Sequence, residues 1–240
     1  METIAQHWNS IQIRISEACK KVKREPTQVR VIAVTKTVPL ETVIEAYEAG
    51  ARIFGENYVQ EALRKMEAID MGGKFSDIEW HFIGALQSNK AKQVVEKFSL
   101  LHSLDRWSLV EAIEKQIEKR GISFSALIEV NLAGERTKAG ISVKELHNFL
   151  KRISSETKVE VLGLMVFPPL VSNPEDSRPY FKRVRELAQE MESLHLPRIS
   201  MKELSMGVTN DFEVAVEEGA TLVRIGTGLF GSRISYDVAK

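Results

Sequence analysis

The sequence predicts an α/β fold closed as a (β/α)8 TIM barrel, and three observations carry that expectation. Eight short apolar segments alternate with amphipathic segments of helical period, a pattern that calls for parallel strands joined by helical crossovers. The length, 240 residues, suits one such barrel and allows a sizeable core without disulfides or structural metal. No linker, low-complexity stretch or internal repeat interrupts the chain, so residues 1–240 are expected to form a single domain. An open doubly wound sheet is the competing architecture; the count of eight units favours the barrel.

Ile4, Trp8, Ile11, Ile15, Ala18 and Val22 recur at alternating steps of four and three. They form one apolar stripe on an extra N-terminal helix, closed by Arg24-Glu-Pro26. The stripe is expected to pack on the chain's own barrel, a coiled-coil dimer seam being the alternative. The chain is accordingly expected to be a monomer or a weak homodimer. Cys19 on this helix reads as a packing residue.

The βα units follow. Predicted strands cover residues 31–35, 51–55, 78–84, 100–104, 126–132, 159–166, 201–206 and 221–225. Predicted helices cover 40–49, 58–68, 89–98, 107–120, 143–154, 175–193 and 211–218, with Gly50 and Gly121 as stops. The last strand runs into Gly226-Thr-Gly228.

Composition narrows the function. Lys+Arg and Asp+Glu both number 33, so no global field attracts nucleic acid or an anionic membrane. A single cysteine suits a reducing compartment. The start Met1-Glu-Thr-Ile-Ala-Gln lacks a secretion signal, and no stretch approaches the roughly 18 apolar residues of a membrane span. A cytoplasmic location is expected.

In a parallel barrel, alternate strand residues face the helices and the lumen. Placing Val223 and Ile225 outward sends Arg224 inward. The same parity sends Glu129, Asn131, Glu203, Ser205, His81 and Ile83 inward, and gives Lys36 the parity of Ile32 and Val34. Buried charges need partners, so Arg224 with Glu203 or Glu129 could form a purely structural ion network. Polar residues near the C-terminal ends of several strands point instead to a ligand site, since barrels build their sites on that face.

The loops after the last two strands, Ser205-Met-Gly-Val-Thr-Asn-Asp211 and Arg224-Ile-Gly-Thr-Gly228, pair glycine with hydroxyls, as a phosphate cradle requires. Opposite them Val31-Ile-Ala-Val-Thr-Lys36 ends in a lysine. A phosphate cradle facing an amine suits a ligand with a phosphate at one end and an aldehyde at the other. Pyridoxal 5'-phosphate (PLP) fits that description, as does a phosphosugar in a Schiff-base aldolase or isomerase.

These residues resemble the pyridoxal-phosphate homeostasis protein family, single-barrel proteins related to the N-terminal domain of alanine racemase (PLP fold type III). The likeness covers nearly the whole chain. It is carried by Val31-Ile-Ala-Val-Thr-Lys36, Phe54-Gly-Glu-Asn-Tyr58, Trp80-His-Phe-Ile-Gly84 with Leu86-Gln-Ser-Asn-Lys90, Gly163-Leu-Met165, Glu203-Leu-Ser-Met-Gly207, and Val223-Arg-Ile-Gly226 with Phe230-Gly231. The resemblance implies that Lys36 holds PLP as a Schiff base, that Ser205, Gly207, Gly226 and Thr227 bind its phosphate, and that Arg224 faces the pyridine nitrogen. It places Asn57 and His81 along the pocket and Met165 against the ring. Ala85 stands where many relatives carry histidine, and Val208-Thr209 replaces a common Met-Ser pair.

An arginine at the ring nitrogen favours the unprotonated ring and so weakens carbanion chemistry. The racemases also take a second base with the help of a separate C-terminal domain, for which this chain leaves no room. The resemblance therefore implies a protein of vitamin B6 homeostasis that buffers or delivers PLP without robust catalysis, with PLP-dependent enzymes as recipients. Three alternatives stay open: a racemase-like enzyme acting on amino acids, a phosphosugar aldolase or isomerase, and an interaction scaffold. The Arg136-Thr-Lys138 loop and the basic helix at 90–97 are candidate contact surfaces.

Overall fold

The computed structural model describes residues 2–70, 75–132, 134, 139–169 and 171–231. A long helix, α1 (Ile4–Lys21), precedes the first strand, β1 (Arg30–Val34). Then come α2 (Leu40–Glu48), β2 (Ile53–Glu56), α3 (Val59–Asp70), β3 (Glu79–Phe82), α4 (Ala91–Lys97), β4 (Leu100–Leu104) and α5 (Trp107–Arg120). The second half holds β5 (Ser125–Asn131), β6 (Ile141–Ser142), α6 (Val143–Glu156), β7 (Glu160–Met165), α7 (Arg178–Glu192), β8 (Ile199–Val208), α8 (Phe212–Glu217), β9 (Leu222–Ile225) and α9 (Thr227–Phe230).

Eight of these strands close a parallel ring. β1 pairs with β2, β2 with β3, β3 with β4, β4 with β5, β5 with β7, β7 with β8, β8 with β9, and β9 returns to β1. The open doubly wound alternative is thereby excluded. β6 adds one short rung to β5, Val130 opposite Ile141, outside the ring.

Two cores result. The larger lies between the strands and the helices and takes Val31, Ala33, Phe54, Trp80, Phe82, Ile128, Val130, Leu204, Met206, Val223 and Ile225 from the outward faces of the strands. The smaller fills the lumen with Ile32, Ile53, Leu100, Leu127, Met165 and Leu222. The strand parity read from the sequence agrees at Trp80, Phe82, Ile128, Val130, Leu204, Met206, Val223, Ile225 and Ile32. Apolar and polar residues share the levels of the lumen, with Ile32 opposite Arg224 and Met165 opposite Glu129 and Ser205.

α1 packs on the outside of its own barrel. Thr3 and Gln6 form a capping box at its start. Ile11, Ile15, Ala18 and Cys19 are buried, and Arg24 donates to the carbonyls of Val216 and Ala220 at 2.6 and 3.0 Å. Arg14 and Lys21 pair with Glu213 and Glu217 on the α8 side. Val22, the last member of the predicted stripe, is exposed because the chain has left the helix there.

Several boundaries differ from those read in the sequence. The strand expected at 201–206 runs from Ile199 to Val208, and the strand expected at 78–84 is only Glu79–Phe82. The helices expected at 89–98 and 175–193 each open with a 3-10 turn, at Ser88–Lys90 and Pro174–Ser177. β6 and α9 carry no periodic signal because they span 2 and 4 residues. No helix among the described residues is long and apolar enough to cross a membrane.

Candidate ligand site at the barrel mouth

At the C-terminal mouth lies a cavity of about 210 Å³. Val34 and Lys36 line it from the end of β1, and Asn57 and Ile83 from the turns after β2 and β3. Phe167 approaches from the segment after β7. Val208, Thr209, Asn210, Arg224, Gly226 and Thr227 complete it from the ends and loops of β8 and β9.

The Lys36 side rests on a buried charged cluster. Lys65, from α3, donates to Glu56 Oε1 and to Glu61 Oε1, both at 2.7 Å, and to the carbonyl of Thr35 at 2.6 Å. Thr35 Oγ1 donates to Glu56 Oε1 at 2.8 Å. The backbone N–H of Thr37 donates to Glu61 Oε1 at 2.6 Å, and Thr37 holds a φ of 61°. A positive φ is uncommon for a β-branched residue and needs such support. The cluster thus grips the residue before Lys36 and the residue after it. Burial pushes the Glu56 carboxyl up, against the lowering effect of Lys65 and Thr35, and its Oε2 has no partner.

The Arg224 side is built differently. Arg224 Nη1 donates to the carbonyl and to Oγ of Ser205, at 2.7 and 2.6 Å, and Nη2 donates to the carbonyl of Val166 at 2.8 Å. The guanidinium lies 4.2 Å from the centroid of the Phe167 ring. Burial pulls it down to about 10, which leaves it charged at neutral pH. Nε has no partner. The structural ion network that the sequence left as an alternative is not what holds it: Glu203 pairs with Arg30 at 2.6 Å instead. Glu129 raises the Arg224 value only as a nearby charge. Glu129 itself is pushed up to about 7 by burial and by the charge of Asp105.

The loops after β8 and β9 meet. The N–H of Gly228 donates to Thr209 Oγ1 at 3.1 Å. Asp211 accepts from the N–H of Val208 at 2.8 Å and from Ser177 Oγ at 2.9 Å, which fixes the turn before α8. Asn57 is set by a close backbone approach, since a Cβ on Gly84 would fall 2.5 Å from the Asn57 carbonyl oxygen. Asn57 Oδ1 is buried and has no partner.

Of the nine residues singled out in the sequence, Lys36, Asn57, Arg224, Gly226 and Thr227 line this cavity. Ser205 lies beneath, occupied by Arg224 and by His102 Nδ1 at 2.9 Å. Gly207 faces α8: it holds a φ of 89°, and a Cβ there would fall 2.5 Å from the Ala215 Cβ. His81 is buried deeper, 3.1 Å from His102, and Met165 sits in the apolar plug. Sequence reasoning missed Phe167, Asn210 and His102. The parity rule would have found His102, because Leu100 faces the lumen and His102 follows it by two. Nothing marked Lys65, a lysine on a helix rich in charge. The loop 136–138 lies outside the described residues. In the basic helix, Lys92 lies 4.0 Å from Glu96 in an ordinary exposed pair. No cluster of three or more His, Cys, Asp or Glu among the described residues could hold a metal ion.

Comparison with known proteins follows the same outline. Residues 9–234 match the family described as alanine racemase, N-terminal domain. The pyridoxal phosphate homeostasis protein of Aquifex aeolicus is 46% identical over 220 residues, covering 92% of this chain and 94% of that protein. The structure of PipY from Synechococcus elongatus with PLP bound superposes with a TM-score of 0.78 at 38% identity, covering 90% of this chain and 100% of that one. A protein of unknown function from Bifidobacterium adolescentis superposes with a TM-score of 0.87 at 32% identity, over 95% of this chain and 94% of that one.

Proposed function

This chain belongs to the alanine racemase N-terminal domain family and, within it, to the pyridoxal phosphate homeostasis proteins, and from that membership we propose that it binds PLP at the barrel mouth. Its role is to buffer or deliver PLP inside the cell rather than to turn over amino acids. The observation that carries this reading is a pair of orphaned polar atoms in the wall of the cavity that holds Lys36. Arg224 Nε is a donor without an acceptor, and Asn57 Oδ1 an acceptor without a donor. Such groups are costly to bury unless a ligand satisfies them.

The residues present fit PLP. Lys36 is the amine that anchors the aldehyde. Gly226 and Thr227, with Thr209 and Asn210, hold the phosphate at the junction of the two loops. Arg224 Nε would serve as the donor to the ring nitrogen, and Asn57 would close the wall between lysine and ring. Ser205 acts through Arg224 rather than on the phosphate. Gly207 allows α8 to pack close beneath the phosphate loop, and Met165 and His81 form the floor below.

PLP supplies an electron sink whose strength depends on protonation of its ring nitrogen. Arg224 is a donor with no proton to yield at neutral pH, so the ring nitrogen it meets stays unprotonated and the sink stays weak. That choice of residue favours holding over turnover. One observation favours a second, racemase-like reading. Glu129, held near 7, lines a neighbouring cavity that shares Phe167 with the first, and a carboxyl poised there could accept a proton from an amino acid. Delivery to PLP-dependent enzymes, a cytoplasmic location and a monomeric or weakly dimeric state complete the proposal; α1 packed on its own barrel supports the last.

The test is an absorption spectrum of the protein incubated with PLP, followed by borohydride reduction and peptide mass mapping, with a parallel assay of alanine racemisation. A visible band, a pyridoxyl group on Lys36 and no turnover are expected. A protein that stays colourless and unmodified would overturn the PLP reading and leave a phosphosugar as the candidate ligand. Sustained racemisation that Glu129→Gln abolishes would install the second reading.

A further inference from the structure

A single file of hydrogen bonds runs down the lumen from Arg224 to His81, with the Glu79 carboxylate beyond it at the N-terminal rim. Ser205 Oγ, which accepts from Arg224 Nη1 at 2.6 Å, lies 2.9 Å from His102 Nδ1. His102 Nε2 lies 3.1 Å from His81 Nδ1, and His81 Nε2 lies 3.6 Å from Glu79 Oε2. Ser205, His102 and His81 are buried, whereas Glu79 reaches solvent.

The groups at the two ends favour one direction for the bonds between them. Arg224 can only donate, so Ser205 Oγ accepts from it, and its own proton is free for His102 Nδ1. At the other end the Glu79 carboxylate, 3.6 Å away, is too far for a direct hydrogen bond but favours the His81 proton on Nε2, the nitrogen that faces it. A neutral His81 then presents a bare Nδ1, which accepts from His102 Nε2–H, and His102 Nδ1 is left to accept from Ser205. Both histidines are then in the Nε2–H tautomer, the one in which the Ser205 hydroxyl donates to His102. Burial lowers both histidines, and the Arg224 charge lowers His102 further, so the neutral forms hold at neutral pH.

We propose that Ser205, His102 and His81 are positioning residues for Arg224: the fixed direction of the file keeps an acceptor under Nη1 and leaves Nε as the donor for the ligand ring. The proposal rests on the reading of the cavity as a PLP site, although the file itself can be measured without PLP. With His102 replaced by an apolar side chain, the Ser205 hydroxyl loses its acceptor and turns, which leaves the Ser205 carbonyl as the one fixed acceptor under Nη1. The influence should fade with distance from Arg224.

The chain has 5 histidines, so long-range 1H–15N spectra of the imidazole rings can be assigned with single variants. In the PLP-free wild type, His102 and His81 are expected as neutral Nε2–H tautomers at neutral pH. An Nδ1–H tautomer at either position would overturn the file. In PLP titrations, Ser205→Ala and His102→Leu are expected to weaken binding about tenfold or more and to shift the visible absorption maximum, while His81→Phe does so about two- to threefold. His102→Asn keeps an acceptor toward Ser205 and is expected to restore most of the loss. Unchanged binding and spectrum in Ser205→Ala and His102→Leu, or no recovery in His102→Asn, would overturn the positioning role even with the tautomers as stated. Failure of the wild type to take up PLP would sink the positioning role together with the site reading, and the tautomer result would show that the file had survived.

Discussion

The two flanks of the cavity solve one problem in opposite ways. Beneath Lys36 the buried polar groups are charged: one lysine meets two carboxylates within 2.7 Å. Beneath Arg224 the supports are neutral: two backbone carbonyls, a serine and a pair of histidines that burial keeps uncharged. The charged cluster gains strong attraction but must desolvate its ions, and Glu56 Oε2 still ends without a partner. The neutral file makes weaker bonds yet leaves the arginine charge uncancelled for a ligand. Lys36 needs a fixed backbone, which ions can clamp. Arg224 needs a fixed side chain with a spare donor, which an ion pair would have consumed.

The largest expected effect breaks the charged flank. Lys65→Met leaves Glu56 and Glu61 without their cation and should lower stability by about 3–5 kcal/mol in denaturant titration. Adding Glu56→Gln should recover a large part of that loss, because the two residues are coupled. Full additivity of the two substitutions would show that the cluster is not a unit.

The next effect concerns Glu129, which belongs to neither flank. Its folded value, about 7, lies above the ordinary 4.5, so the folded state binds the proton more tightly. Its contribution is therefore complete below pH 4.5 and fades as pH rises to about 7. Glu129→Gln should be more stable than the wild type by about 3 kcal/mol at pH 8, with the difference vanishing toward pH 4. A pH-independent difference would contradict the burial assigned to this carboxyl.

The neutral flank should respond less. His102→Leu is expected to lower stability by about 1–2 kcal/mol, the range for loss of a buried neutral hydrogen bond partly offset by an apolar replacement. If it matched Lys65→Met, the contrast between the flanks would fail. The smallest effect is expected for Phe167→Ala, since the ring is 46% exposed. Loss of its contact with Arg224 should cost about 0.5–1 kcal/mol, measured the same way.

The same contrast explains how much was legible in the sequence. Period-2 parity placed Arg224, Ser205, His81 and Glu129 inside, because each sits between outward apolar residues on its own strand. Lys36 and the Gly226-Thr-Gly228 loop followed from their positions at strand ends. The charged clamp was not legible. Lys65 reaches inward from a helix whose surface carries many charges, and no local pattern distinguishes a buried lysine from a solvated one. Sequence also assigned Ser205 and Gly207 to a phosphate, from the glycine-and-hydroxyl loop and from the family resemblance. The structure places one under Arg224 and the other against α8, because β8 extends to Val208 and moves the loop two residues onward.

The central claim is that one ligand spans Lys36 and the spare donor of Arg224. A crystal structure of the protein grown with PLP tests it most directly. The account predicts density continuous with Lys36 Nζ, the pyridine nitrogen on Arg224 Nε, and Arg224 Nη1 still on Ser205. Phosphate density against Arg224, or PLP attached to another lysine, would contradict it.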